Sequence, residues 1–309
     1  MPRILNYLLP LSMAATLAAC GGDGSSTGPG TGSVSLNLTD APTTEFSEVN
    51  ITFTGVTLKP KDGERIEISF EEAKTLDLLT LQGGETASLL DEVEVPAGDY
   101  NWIRLQLDMD PLKTYVMQDG GQKSLFIPSG AQTGLKLIRG FTVAEGGQSG
   151  FTVDFDVRKS IVDPKGGQAD YYLKPVLRIV DNLSVGSITG EVDYANINSS
   201  RMDNPDLANC TEGYAGAIYV YEGEVENPTD LNVNEPDSGP LLVVPVEENL
   251  ETGLYDYTAA FLTEGTYTIS YTCEADNNET SEDLLFQGTQ QVPVIANAET
   301  TAKTIPIVE

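Results

Sequence analysis

Histidine is absent from this 309-residue chain. That removes the Ser-His-Asp and Cys-His catalytic arrangements together with the commonest metal-binding side chain. What remains is oxygen chemistry, since Asp and Glu number 47 against 17 Lys and Arg. Carboxylate pairs serve glycoside hydrolysis, but spacing singles out no working pair. No catalytic residue is assigned, the chain reads as a non-enzyme, and an envelope hydrolase using carboxylates stands as an alternative. Asp154 and Asp156 leave one face of a strand whose other face carries Phe151, Val153, Phe155 and Val157, so they are either cation ligands or its wet face. Asp203-Asn204-Pro205-Asp206 and Asp276-Asn277-Asn278-Glu279 are rich in the hard oxygen donors that calcium takes, but without EF-hand spacing such loops are more often plain turns. Asp154, Asp156, Asp203, Asp206 and Asp276 are thus the candidate cation ligands, with calcium as the ion and no other cofactor expected.

Aromatic chemistry is the second option. Tyr219 with Tyr221, Tyr255 with Tyr257, and Tyr267 with Tyr271 recur at even spacing. An exposed row of rings would stack on sugar faces, giving a carbohydrate-binding accessory protein as a further alternative. The other reading is packing between neighbouring strands, for which tyrosine is well suited. Trp102 reads as core or sheet surface. Gly24-Ser25-Ser26-Thr27-Gly28 matches the nucleophile elbow in letters only, with no strand before it and no helix after it.

The elements that must position these residues are strands. Val34, Leu36 and Leu38 alternate with polar neighbours, as do Val49, Ile51 and Phe53, and Ile103, Leu105 and Leu107. A period of two marks half-buried strands. Turn clusters such as Lys61-Asp62-Gly63, Pro96-Ala97-Gly98 and Asp119-Gly120-Gly121 separate them. No helical run of three turns competes, apart from a short helix or turn expected around Phe70 to Leu81. The pattern predicts an all-β chain of two antiparallel sandwich domains of immunoglobulin or prealbumin type.

Charge divides the chain. Residues 20–184 hold 24 acidic and 14 basic side chains, whereas residues 185–309 hold 23 acidic ones against only Arg201 and Lys303. The step places a domain boundary near residue 184, giving units 33–184 and 185–309. So acidic a surface excludes nucleic acid, which is bound by clustered cations, and electrostatic attachment to anionic lipid.

Arg3 followed by the apolar stretch Ile4 to Leu17 reads as a signal peptide, residues 1–19, too short for a comfortable membrane span. Leu17-Ala18-Ala19-Cys20 resembles the lipobox of bacterial lipoproteins. The resemblance implies lipid on the Cys20 sulfur, a membrane partner through that lipid, and, with Gly21 rather than Asp in second place, the outer membrane of a Gram-negative envelope. Residues 20–32 form a Gly/Ser-rich tether that sets the folded part about 20 Å from the bilayer. With Cys20 lipidated, Cys210 and Cys273 are the remaining thiols, and export favours their pairing as a disulfide.

Leu38-Thr39-Asp40-Ala41-Pro42, Gly98-Asp99-Tyr100, Ile127-Pro128-Ser129-Gly130, Asp154-Phe155-Asp156 with Lys159-Ser160-Ile161, and Tyr172-Leu173-Lys174-Pro175-Val176 follow one another in the order seen in the bacterial lipoprotein domain-of-unknown-function family 4382, which residues 33–182 resemble. That resemblance implies a compartment and no activity. Gly98-Asp99-Tyr100 and Gly265-Thr266-Tyr267 also resemble the Gly-x-Tyr strand entry of transthyretin-like and carboxypeptidase-regulatory-like sandwiches, and Ile188-Thr189-Gly190-Glu191-Val192 extends that likeness in the second unit. The expectation is a lipid-anchored envelope protein acting as a non-enzymatic binding or structural module, with a polysaccharide or an envelope protein as partner.

Overall fold

The computed structural model describes residues 30–306 except 42–45, 109, 111, 129–133, 165, 167–168, 205 and 236–238. The expected signal peptide, Cys20 and the Gly24 to Gly28 stretch lie outside the described residues. In chain order the first part holds β1 (Thr31–Ala41), β2 (Glu48–Pro60), β3 (Ile66–Asp77), β4 (Ala87–Pro96), β5 (Gly98–Leu107), β6 (Tyr115–Gln118), β7 (Gly121–Phe126), β8 (Leu135–Leu137), β9 (Phe141–Val143) and β10 (Gln148–Asp156). The four-residue helix α1 (Val157–Ser160) follows, then β11 (Ile161–Val162), β12 (Tyr171–Leu173) and β13 (Leu177–Asp181). β1 begins at Thr31 rather than at Ser33, because Thr31 and Gly32 already pair with Pro96 and Val95.

Two sheets close over one core. One has the order β13-β10-β1-β4, and the other runs β11-β12-β7-β6-β2-β5-β8, with β3 added to β2 and β9 to β5. Val34, Leu36, Leu38, Val153 and Phe155 of the first meet Ile51, Phe53, Val56, Ile103 and Leu105 of the second in a single buried cluster. Alternating apolar residues face inward and polar neighbours take the opposite face, which is why the period was legible, although several of those neighbours, Thr52, Thr57 and Thr152 among them, are buried in turn. The pairing is antiparallel except where β1 meets β10, β7 meets β12 and, later, β14 meets β21. These partners come from distant segments, so no hairpin dictates their direction. The turn expected between Phe70 and Leu81 is a strand, β3, ending in one 3-10 turn at Leu78–Thr80 capped by Asp77.

The second part holds β14 (Val185–Val192), the helix α2 (Tyr194–Met202), β15 (Ala217–Glu222), β16 (Leu242–Pro245), β17 (Glu247–Glu248), β18 (Tyr255–Thr263), β19 (Gly265–Thr272), β20 (Gln287–Val294) and β21 (Glu299–Thr301). Sheets ordered β17-β18-β14-β21 and β16-β15-β19-β20 enclose Ile188, Val192, Ala259, Ile218, Val220 and Ile269. A smaller cluster of Tyr219, Tyr221, Leu231 and Val243, with Leu284 and Phe286 against it, covers the opposite face of β15 and β16. β15 is therefore buried on both sides. Among the described residues no helix is long and apolar enough to cross a membrane.

Candidate functional site

The described residues bring charge and aromatic groups together mainly where the two parts of the chain meet. α1 interrupts the strand at Asp156, whose Oδ1 caps the turn by accepting from the Lys159 amide at 3.1 Å and whose Oδ2 pairs with Lys159 Nζ at 3.3 Å. Asp40 Oδ1 accepts from the Val157 amide at 3.2 Å. The interruption aims two cations at the second part. Lys159 Nζ donates to the carbonyls of Pro240 (3.0 Å) and Leu241 (2.8 Å). Arg158 donates through Nε (3.2 Å) and Nη2 (2.5 Å) to Asn278 Oδ1, and Nη2 pairs with Asp276 Oδ2 at 3.5 Å.

Asp276 is the buried member of this junction, its side chain 0% exposed and that of Arg158 10%. The same Oδ2 accepts from the Tyr219 hydroxyl at 2.7 Å and the Leu231 amide at 3.1 Å. Burial pushes the Asp276 carboxyl above the ordinary carboxylate range, against the opposing pull of Tyr219, Arg158 and the Leu231 amide. Burial likewise raises Asp156 against the pull of Lys159, and it raises Tyr219 far beyond the tyrosine range. Groups held this way act as ties: Asp276 engages an arginine, a phenol and an amide through Oδ2, while its Oδ1 is buried without a partner.

The candidate cation ligands are dispersed among such ties. Asp154 pairs with Arg178 at 2.6 Å, its cross-strand neighbour on β13. Asp203 ends α2, and Asp206 donates its amide to Asn204 Oδ1 in an exposed turn. Among the described residues no group of three or more Asp, Glu, Cys or His is arranged to hold a metal ion.

The tyrosine row is not an exposed platform. Tyr219, Tyr221, Tyr257, Tyr267 and Tyr271 are all at least 96% buried. Tyr257, Tyr267 and Tyr271 belong to the main core. Tyr219 and Tyr221 point away from it but lie beneath the segments that carry Leu231 and Phe286. The sugar-stacking alternative built on these rings is corrected accordingly: β15 has a second core over its outer face, which period-two spacing does not reveal.

Cys210 and Cys273 form a disulfide. Beside it Arg201, on α2 and 2% exposed, pairs with Glu274 at 3.1 Å and donates to the Leu285 carbonyl at 2.9 Å, while Glu274 Oε2 accepts from the Leu285 amide at 2.6 Å. Helix α2 was invisible to periodicity because Ile197 and Arg201 are its only buried residues. Its one signal is Asp193, whose Oδ1 caps the Asn196 amide at 3.0 Å.

Fold and junction together define an all-β protein of facing sheets whose buried ionisable groups tie strands and loops to one another. Within it, residues 31–175 match the model of the family described as Domain of unknown function (DUF4382). No curated protein matches the chain. Among solved structures, a leucine-rich repeat protein from Bacteroides thetaiotaomicron aligns with 90% of this chain at 13% identity and a TM-score of 0.22, and this chain spans only 26% of its length. The minor pilin GBS52 of Streptococcus agalactiae aligns with 89% of this chain and 98% of its own, at 10% identity and a TM-score of 0.19. The fimbrial anchor protein Mfa2 of Porphyromonas gingivalis aligns with 78% of each chain, at 13% identity and a TM-score of 0.18.

Proposed function

We propose that this chain is an exported lipoprotein, anchored through Cys20 to the outer membrane of a Gram-negative envelope, whose domains 33–184 and 185–309 act together as a non-enzymatic binding or structural module. The observation that carries the reading is the junction. Arg158 and Lys159 of the first domain bind Asp276, Asn278 and two carbonyls of the second, out of water. A module that must bear load or present a surface gains from domains that do not swing independently. The histidine-free composition agrees, since it lacks the commonest acid-base catalyst. Cell fractionation tests the reading. The wild-type protein should sediment with outer membranes and Cys20→Ala should be released into the soluble envelope fraction. A wild-type protein found wholly in the soluble fraction contradicts it.

A further inference from the structure

The outer face of the larger sheet in the first domain carries a patch unlike the rest of the molecule. Trp102 is half-buried there, and two cations approach its ring: Lys136 Nζ lies 4.7 Å and Arg104 Cζ 5.0 Å from the centroid. Strand register sets the arrangement. Arg104 on β5 pairs with Thr57 on β2 and with Lys136 on β8, and Trp102 pairs with Lys59. Ile103 and Leu105 turn inward, so Trp102, Arg104 and Gln106 all face out. The surroundings add neutral polar groups: Gln106 Nε2 donates to Thr57 Oγ1 at 2.9 Å.

Among the described residues neither Arg104 nor Lys136 forms an ion pair, although the chain has 47 acidic side chains to 17 basic ones. The one carboxylate in the same cross-strand row, Glu67 on β3, is held by Arg65 at 2.8 Å. Arg104 Nε is buried and has no hydrogen-bond acceptor. What sets this pair of cations apart is the chain's only tryptophan between them, with a buried Arg104 N–H left unmet, a combination that suits an anion and a flat ring.

We propose that this face binds an acidic saccharide, a sugar chain bearing carboxylates. Trp102 provides the floor on which a sugar ring lies, and Arg104 and Lys136 take the carboxylate. Both side chains are long enough to swing from the indole to an anion, and a charge-assisted hydrogen bond outweighs an exposed cation–π contact. Two cations suit one or two anionic groups and not a continuous polyphosphate, whose binding needs many more. The molecule's net negative charge does not forbid a short ligand, because at physiological salt charges beyond about 8 Å are largely screened. The proposal deepens the binding half of the reading above and is independent of the anchor: a failed titration leaves fractionation unaffected, and the reverse.

Trp102 being the only tryptophan, its fluorescence reports on this site alone. The full chain in detergent is titrated with oligogalacturonate, with the methyl-esterified oligomer, with oligoglutamate, and with glycerophosphoglycerol, the headgroup of phosphatidylglycerol. A saturable emission change is expected with oligogalacturonate alone. Affinity should fall about tenfold or more in Arg104→Gln/Lys136→Gln. Lys174→Gln/Lys303→Gln, which removes two exposed charges elsewhere, should bind as wild type, and circular dichroism confirms that both variants fold. No change with oligogalacturonate overturns the proposal. So does an equal response to the neutral ester, to oligoglutamate or to glycerophosphoglycerol, or undiminished binding by Arg104→Gln/Lys136→Gln.

Discussion

At the scale of single residues, Asp276 and Arg158 decide how the junction behaves. Replacing Arg158 by Met leaves the Asp276 carboxylate buried without its cation, and breaking a buried pair from one side costs about 3–5 kcal/mol. Arg178→Met removes a more exposed partner, with side chains 23% and 13% exposed in its pair with Asp154, and should cost about 1 kcal/mol. Urea unfolding at pH 7 measures both, and equal losses would contradict the ranking. Asp276 also carries a pH signature. Because burial raises its folded pKa, the native state takes up a proton before the unfolded chain does. The carboxyl therefore adds stability as pH falls through the raised value, and the gain is complete below the unfolded value of about 3.9. Wild type should gain on Asp276→Asn between pH 7 and pH 4, and a difference that shrinks over that range would show that the charge is stabilised in the fold.

Among the elements, the two tyrosine entries show what spacing can and cannot disclose. Tyr100 donates to the Pro96 carbonyl at 2.7 Å and Tyr267 to the Thr263 carbonyl at 2.9 Å, each reaching four residues back across its turn. Gly98 sits at a φ of +133°, where a side chain is strained. Tyr100→Phe and Tyr267→Phe should each cost about 1 kcal/mol, and Gly98→Ala more than that, as thermal unfolding would register. Were the hydroxyls idle, the Phe variants would melt with the wild type. β5, which bears Tyr100, was legible because one face of it is wet, whereas β19, which bears Tyr267, keeps its period although Thr268, Ser270 and Thr272 on its other face are buried too. β15 was legible as a strand but not as a doubly buried one, since Ala-Ile-Tyr-Val-Tyr keeps its period while loops cover its outer face. The junction left even less trace: Arg158 and Asp276 lie 118 positions apart, and nothing local in either segment announces the other. Cys210 and Cys273 were legible by arithmetic, whereas Arg201 and Glu274 beside them were not. Reduction of that bond, which closes a separation of 63 residues, should lower stability by about 4 kcal/mol. Peptide mapping without reductant should recover the Cys210–Cys273 link, and two free alkylatable thiols in exported protein would overturn it.

At the scale of the whole molecule, the leader, the lipid on Cys20 and the two domains proposed above meet one observation, the buried contact of Arg158 and Lys159 with the segment around Asp276 and with the Pro240 and Leu241 carbonyls. The junction predicts that both domains unfold in one transition, and that Arg158→Met/Lys159→Met separates the melt into two. A wild-type melt that already shows two transitions would mean that the domains are not coupled. The proposed anchor would decide what the module is for, since tethering converts a surface that binds or bears load into a fixture of the envelope. Its most direct test is to grow cells on a clickable fatty acid and compare wild type with Cys20→Ala. Label should appear on the wild-type protein and be absent from the variant, because the Cys20 sulfur is the atom of attachment; equal labelling of the two, or none on the wild type, would contradict the account.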